Sequence, residues 1–122
     1  MAVTKTSTIT ALAGILVLDL DADATVEANV TGNSSGTLYM VEIDNTANAS
    51  TAAYFRIRDA SSAVTNDDHT WMFYAPAGQK VTYALNEGEI YSAGLSVWCT
   101  SNPAYQDATA PAAVVITRIL AS

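Results

Sequence analysis

The chain has 122 residues and a mass of 12.8 kDa, a size at which one domain buries a hydrophobic core without disulfides or metals. Half of the residues are hydrophobic and only 14% are charged, which excludes a disordered chain and disfavours a helical bundle rich in Lys, Glu and Arg. The formal net charge is −7 and no polybasic segment is present, so we expect neither a nucleic-acid partner nor binding to a membrane surface.

The N-terminal stretch, residues 1–10, is rich in threonine and predicts either a first strand or an N-terminal arm that lies on a neighbouring molecule. The apolar run A-L-A-G-I-L-V-L follows, and together with A-D-A it has the form of a signal peptide with an Ala-x-Ala cleavage site. Because the run is short and continues directly into three aspartates, we expect it to remain in the mature protein.

Carboxylates occupy every second position of L-D-L-D-A-D-A-T, at Asp19, Asp21 and Asp23. An EF-hand calcium loop that starts at Asp19 would need Gly at its sixth position and Glu at its twelfth, where this chain has Ala24 and Val30. We therefore predict no metal site and a strand whose carboxylates face solvent, with the opposite face formed by Leu16, Leu18 and Leu20. Metal binding by these carboxylates within an assembly is the alternative.

Alternation with a period of two continues along the chain and predicts six further strands: Thr37 to Asp44, Ala53 to Arg58, Trp71 to Ala75, Lys80 to Asn86, Ile90 to Thr100, and Ala113 to Leu120. Gly-, Pro- and Asn-rich turns separate these strands, and no amphipathic helical pattern interrupts them. The chain is therefore predicted to be all-β, with a single domain over residues 1–122 that forms an antiparallel β-sandwich or jelly roll.

The alternation also predicts which side chains face the core. In the first of these strands Tyr39, Val41 and Ile43 are expected to share one face. In A-Y-F-R-I-R, the outward face would carry Tyr54, Arg56 and Arg58. These arginines are expected either to pair locally with aspartates or to meet an acidic or carbonyl-rich partner surface.

The aromatic residues divide between two roles. Trp71 and Phe73 are expected to fill the core, although exposed rings near polar loops would suit a sugar-binding platform. Cys99 alternates with Leu95 and Val97 and is predicted to be a small buried hydrophobe. Trp98 lies on the opposite face and is expected to be exposed, so Trp98 and Tyr105 complete the predicted protein interface.

His69 is the single histidine and follows two aspartates in T-N-D-D-H-T-W. Two roles are open to it: a general base that a carboxylate orients, or a polar residue within a turn. No G-x-S-x-G nucleophile motif occurs. We therefore expect no enzyme, no catalytic residue and no cofactor.

A family resemblance covers the chain from about Leu38 to Leu120. Its motifs are the strand A-A-Y-F-R-I-R-D, the reversal P-A-G-Q-K-V, the strand S-A-G-L-S-V-W, and the stretch Q-D-A-T-A-P-A-A before V-V-I-T. In this order they resemble small β-rich structural proteins of tailed-bacteriophage particles. The chain departs from that pattern with Trp98 and Cys99 at positions expected to be small, and with Y-S-A-G for F-S-T-G.

The resemblance implies a capsid decoration (cement) protein on the capsid exterior of the virion. Such a protein would form a homotrimer, contact the major capsid protein and stabilise the mature shell. The alternatives are a tail, adaptor or fibre-associated virion module, which could bind glycans, and a secreted bacterial β-domain. An acidic, Lys-poor chain that stays soluble before assembly agrees with a particle component.

Overall fold

A computed structural model describes residues 3–6 and 14–122, and the chain forms strands, turns and loops throughout these ranges. The strands are β1 (Val3–Thr6), β2 (Ile15–Asp19), β3 (Gly36–Asp44), β4 (Ala53–Asp59), β5 (Trp71–Ala75), β6 (Lys80–Tyr91), β7 (Leu95–Thr100) and β8 (Ile116–Ala121). The described residues contain no helix that is long and apolar enough to cross a membrane.

Two antiparallel sheets make up the fold. One has five strands in the order β1-β2-β8-β3-β6, and the other has three strands in the order β5-β4-β7. This arrangement confirms the predicted all-β, antiparallel sandwich.

Alternate residues of both sheets face one shared core. Most inward positions predicted in the three-stranded sheet are confirmed as buried: Ala53, Phe55, Ile57, Phe73, Leu95, Val97 and Cys99. Trp71, also predicted to fill the core, packs against it but is only partly buried. The five-stranded sheet contributes Val41 and Ile43 from β3 and Ile119 from β8. Apolar burial of this kind stabilises a fold by about 25 cal/mol per Å² of surface removed from water.

The threonine-rich N-terminal stretch contributes the strand β1 to the five-stranded sheet. Val3–Thr6 pairs with β2 of the same chain, in the register Val3 with Asp19 and Thr6 with Leu16. The remainder of the predicted arm, residues 1–2 and 7–10, lies outside the described residues.

Asp19 is buried and faces the core, so the prediction that it lies on a solvent face is wrong. Val17 pairs with Ile119 and Asp19 pairs with Thr117, and all four side chains are buried. The leucines expected to face the core instead lie on the outer face, where Leu20 is 48% exposed. The run I-L-V-L is apolar at every position, so its alternation cannot distinguish the two faces.

The three aspartates also do not share a face. Asp19 ends β2, and its Oδ1 accepts the N–H of Asp21 at 3.0 Å, which turns the chain. Asp21 is exposed, and the Asp23 Oδ1 accepts the N–H of Thr25 at 2.8 Å in the next turn. These are the local backbone bonds that aspartate favours at turns.

A bulge changes which residues of β3 face the core. The register with β6 and β8 shifts between Leu38 and Met40, so Leu38 is buried beside Val41 and the predicted inward position of Tyr39 is wrong. On β6 the bulge contains Gly88 with φ +77°, and a Cβ there would lie 2.2 Å from Thr37 Cγ2. Only glycine fits this left-handed and crowded position.

The predicted strand from Ile90 to Thr100 is two strands, because a carboxylate turns the chain between them. Asp59 Oδ1 accepts the N–H of Ser92 at 3.0 Å and that of Ala93 at 2.9 Å. β6 therefore ends at Tyr91, and β7 begins at Leu95 in the other sheet.

An extended segment, residues 23–30, covers the outer edge of β7. Glu27 and Val97 exchange both backbone hydrogen bonds at 2.9 Å, and the N–H of Cys99 donates to Asp23 O at 2.7 Å. This pairing satisfies backbone groups that an open edge strand would expose.

Two buried asparagines join three loops at one end of the sandwich. The Asn45 Nδ2 donates to Thr51 O at 2.9 Å and to Pro76 O at 3.1 Å. The Asn48 Nδ2 donates to Asn45 Oδ1 at 2.9 Å and to Ala113 O at 3.1 Å, and its Oδ1 accepts the Ala113 N–H at 2.8 Å. The network ties the β3–β4, β5–β6 and β7–β8 loops together.

We expect Asn48→Ala to lower the free energy of unfolding by about 2–4 kcal/mol, because it leaves polar groups of Asn45 and Ala113 without their partner. Urea denaturation measures this loss as a lower midpoint with an unchanged slope. The exposed Asn66→Ala serves as the control and should change the stability by less than about 0.5 kcal/mol. Equal stabilities for the two variants would contradict the structural role of Asn48.

Candidate interaction surface on the three-stranded sheet

The face of the three-stranded sheet that points away from the core carries four of the five predicted interface residues. Tyr54 pairs across the strands with Tyr74, while Arg56 lies between Met72 on β5 and Trp98 on β7. The face consists of Tyr54, Arg56, Arg58, Met72, Tyr74, Ser96, Trp98 and Thr100. Tyr105, the fifth predicted residue, follows in the β7–β8 loop.

Two loops cover the β7 half of this face. The first loop, residues 60–70, is held at two points. Ser96 Oγ donates to Ala60 O at 2.8 Å, and Thr65 Oγ1 donates to Ala24 O at 2.7 Å, in the segment beyond the edge of β7. The second, residues 101–107, begins where Thr100 Oγ1 donates to Asn102 O at 3.1 Å. We call these the first and the second cover loop.

Trp98 is fully buried, so the prediction that it is exposed is wrong. It lies between Ser96 and Thr100, whose hydroxyl groups are bonded to the two cover loops. Strand alternation correctly placed Trp98 on the face opposite Leu95 and Val97. It carries no information about loops that fold over that face.

Arg56 is fully buried as well, so its expected exposure is also wrong. Its Nε donates to Thr100 Oγ1 at 3.0 Å, and its Nη2 donates to Asn102 O at 2.8 Å and to Ala104 O at 2.9 Å. Burial lowers the pKa of this guanidinium, while the nearby charge of Asp107 opposes that effect. Carbonyl oxygens thus replace most of the water that an exposed arginine would bind.

Arg58 is partly exposed and pairs locally with an aspartate, which is the first of the two alternatives expected for the arginines. Its Nη1 lies 3.7 Å from Asp67 Oδ2 and donates to Asp68 O at 3.2 Å. An ion pair with this exposure contributes at most about 1 kcal/mol. Arg58 therefore anchors the end of the first cover loop only weakly.

Tyr105 is 65% exposed and stands at the boundary between the two cover loops. Its hydrogen bond with Asp68 raises the pKa of the tyrosine and, together with a bond from Gln106, lowers the pKa of the Asp68 carboxyl. The Gln106 Nε2 donates to Asp68 Oδ1 at 2.8 Å. These contacts connect the second cover loop to the first.

His69 lies half-buried between Arg56 and Tyr105. Arg56 Nη1 donates to His69 Nδ1 at 3.3 Å, and the ring of Tyr105 meets the imidazole edge-on at 5.9 Å. Burial lowers the pKa of His69, the charge of Arg56 lowers it further, and Asp68 raises it. Within residues 3–6 and 14–122, no group of three His, Cys, Asp or Glu side chains could hold a metal ion.

The β5 side of the face remains open to solvent. The rings of Tyr54 and Tyr74 lie 5.4 Å apart, Tyr74 is 45% exposed, and Met72 is 36% exposed beside Arg56. We call Tyr54, Met72, Tyr74 and Tyr105 the aromatic surface. Met72 and Tyr74 were not predicted as site residues, although the alternation that assigned Trp71 and Phe73 to the core points both of them outward.

Cys99 is a buried residue of the core, as predicted. Desolvation raises the pKa of its thiol to about 12, so the reactive thiolate does not form near neutral pH. The site is therefore a surface of tyrosine and methionine side chains, beneath which Arg56 is fixed.

We expect Arg56→Met to lower the free energy of unfolding by about 2–4 kcal/mol, since the buried Thr100 Oγ1 and the carbonyls of Asn102 and Ala104 lose the bonds that Arg56 donates. Arg58→Met, the same change two residues along the strand, should cost at most about 1 kcal/mol. Paired urea denaturation curves measure both values. A cost for Arg58→Met that matches or exceeds the cost for Arg56→Met would contradict this assignment.

A scan against protein-family models, a search of curated proteins and a search of solved structures each found no match to this chain.

Proposed function

We propose that this protein is a structural component of a tailed-bacteriophage particle, a capsid decoration (cement) protein that binds the capsid exterior through the aromatic surface. Its partner would be the major capsid protein, and copies of the chain would associate as a homotrimer. The observation that carries the proposal is the pair of exposed side chains Met72 and Tyr74 on one sheet face, together with the half-buried Tyr54 and the exposed Tyr105.

The composition of the aromatic surface supports a protein partner. Tyrosine and methionine are enriched at protein interfaces, and tyrosine supplies a large contact area at a small cost in side-chain entropy. Strands hold three of the four residues, so little order has to be created on binding. No ligand-sized pocket opens in residues 3–6 and 14–122, which favours a flat contact over a small-molecule site.

The order of sequence motifs from Leu38 to Leu120 supports the assignment to a phage particle. The net charge of −7 keeps such a chain soluble before assembly and disfavours contact with the packaged nucleic acid. A cement protein acts by linkage: it binds the mature lattice in preference to the immature one and so stabilises the mature lattice. Many copies make a modest contact collectively strong.

A fibre-associated, glycan-binding module is the second candidate. It is favoured by the exposed ring of Tyr105 beside the polar groups of Asp68 and Gln106. Trp98, which was predicted to be exposed, is buried and cannot supply a second ring for a glycan.

Particles purified from a culture that produces the encoding phage test the role directly. We expect mass spectrometry to find the chain in intact capsids at a fixed ratio to the major capsid protein, and light scattering to find the purified chain as a trimer. Its presence only in isolated tails or fibres would favour the second candidate. Its absence from purified particles would overturn both virion roles.

A double variant, Met72→Ser with Tyr74→Ser, tests the aromatic surface itself. We expect it to keep its fold but to lose binding to shells from which the chain has been removed, because both changed side chains point to solvent. Ile90→Ser, which changes an apolar residue that is 77% exposed on β6 of the other sheet, is the control and should bind normally. Co-sedimentation measures binding, and equal binding by both variants would contradict the assignment of this surface.

A further inference from the structure

The hydrogen bond between Arg56 and His69 exists in only one protonation state of the imidazole. A guanidinium carries donors and no acceptor, so the His69 Nδ1 that lies 3.3 Å from Arg56 Nη1 must be the acceptor. His69 is therefore neutral in this arrangement, with its proton on Nε2. A proton on Nδ1 would remove the bond and place a second cation against the buried one.

The same guanidinium fastens the second cover loop. Arg56 Nη2 donates to the carbonyl oxygens of Asn102 and Ala104, while its Nη1 reaches His69 in the first cover loop. Trp98, the cross-strand partner of Arg56, is buried beneath these loops. One side chain thus joins both cover loops above a buried indole.

We propose that Arg56 and His69 form a proton-sensitive latch, in which protonation of His69 releases the two cover loops and exposes Trp98. Near neutral pH the latch is closed and the edge of the aromatic surface at Tyr105 is fixed. In mild acid the two cations repel, the cover loops open, and this edge loses its shape.

Titratable groups act on the latch from each element packed against it. β7 contributes Cys99, which acts on the charge of Arg56. β4 contributes Arg56. The first cover loop contributes Asp68, which favours protonation of His69. The second cover loop contributes Tyr105, which contacts the ring, and Asp107, which acts on the charge of Arg56.

The other two nearby charged residues, Arg58 and Asp67, form an ion pair with each other. Burial and Arg56 therefore outweigh Asp68, and the pKa of His69 in the folded protein lies below its ordinary value of 6.5. The unfolded or open state binds the proton more tightly. The stabilising effect of the closed latch is thus complete above about pH 6.5 and is lost as the pH falls toward the folded pKa.

The latch goes beyond the proposed function and does not depend on it, because it rests on contacts within one chain. Its test uses the purified protein alone. Failure of the latch therefore leaves the particle assignment unaffected, and absence of the chain from particles leaves the latch unaffected.

The experiment compares two signals between about pH 7.5 and pH 5, a range above the titration of ordinary carboxylates. The chain has a single histidine, so one proton NMR resonance reports the pKa of His69. It has two tryptophans, so Trp71→Phe leaves Trp98 as the only indole. We expect Trp98 emission to move to longer wavelength and acrylamide quenching to rise with the same midpoint as His69, a midpoint below 6.5.

His69→Gln in the same Trp71→Phe protein is the matched control. The amide oxygen of glutamine can accept from Arg56 but does not titrate, so we expect Trp98 to stay buried over the whole range. The latch is wrong if Trp98 does not respond while His69 of the parent titrates, if His69 titrates at or above 6.5, or if His69→Gln shows the same pH response. The NMR titration of the unmodified chain decides the matter should His69→Gln not fold.

Discussion

The hydrogen bonds of the buried Arg56 guanidinium are the interaction on which the outer face of the three-stranded sheet depends. It lies within a strand, yet most of its donors are used by loop residues: Asn102 and Ala104 in one loop and His69 in another. Arg56 gives the carbonyls of Asn102 and Ala104 one donor each, beside the bonds that they accept from Thr100 Oγ1 and from the Asp107 N–H. A buried polar group is costly when unpaired and specific when paired, so one side chain constrains the geometry of both loops.

The same constraint divides the outer face into a closed half and an open half. On β7, Ser96 and Thr100 bond to the cover loops through their hydroxyl groups, and Trp98 lies buried between them. On β5, Met72 and Tyr74 have no such cover and remain exposed. The aromatic surface that we propose for binding therefore lies toward β5, whereas the β7 side is closed by bonds to the cover loops.

Strand periodicity predicted most of the fold, because one face of most strands is more buried than the other and apolar residues at every second position mark that face. It placed Phe55 and Ile57 in the core and predicted the bounds of β5 correctly. It failed at Asp19, where the preceding run is apolar on both faces. It failed again at Tyr39, where a bulge shifts the register with β8 by one residue and reverses the pattern.

The candidate site was only half predictable, for a different physical reason. Alternation correctly grouped Tyr54, Arg56 and Trp98 on one face, but exposure also depends on what the loops do. Loop positions are set by long-range bonds, such as that from Thr65 to Ala24, which no local pattern encodes. The division of β6 from β7 likewise depends on Asp59, more than thirty residues earlier in the chain.

The position of β8 has a consequence for how the chain folds during synthesis. β8 is the last strand in sequence order, yet it lies in the middle of the five-stranded sheet, between β2 and β3. Until it has left the ribosome, the β1–β2 hairpin and the β3–β6 pair have no hydrogen bonds to each other. Each then exposes an unpaired edge and an apolar face, the features that make a nascent chain prone to aggregation. Because the sheet is completed by contacts between distant parts of the sequence, we expect its folding to be slow and to require that β8 has been synthesised.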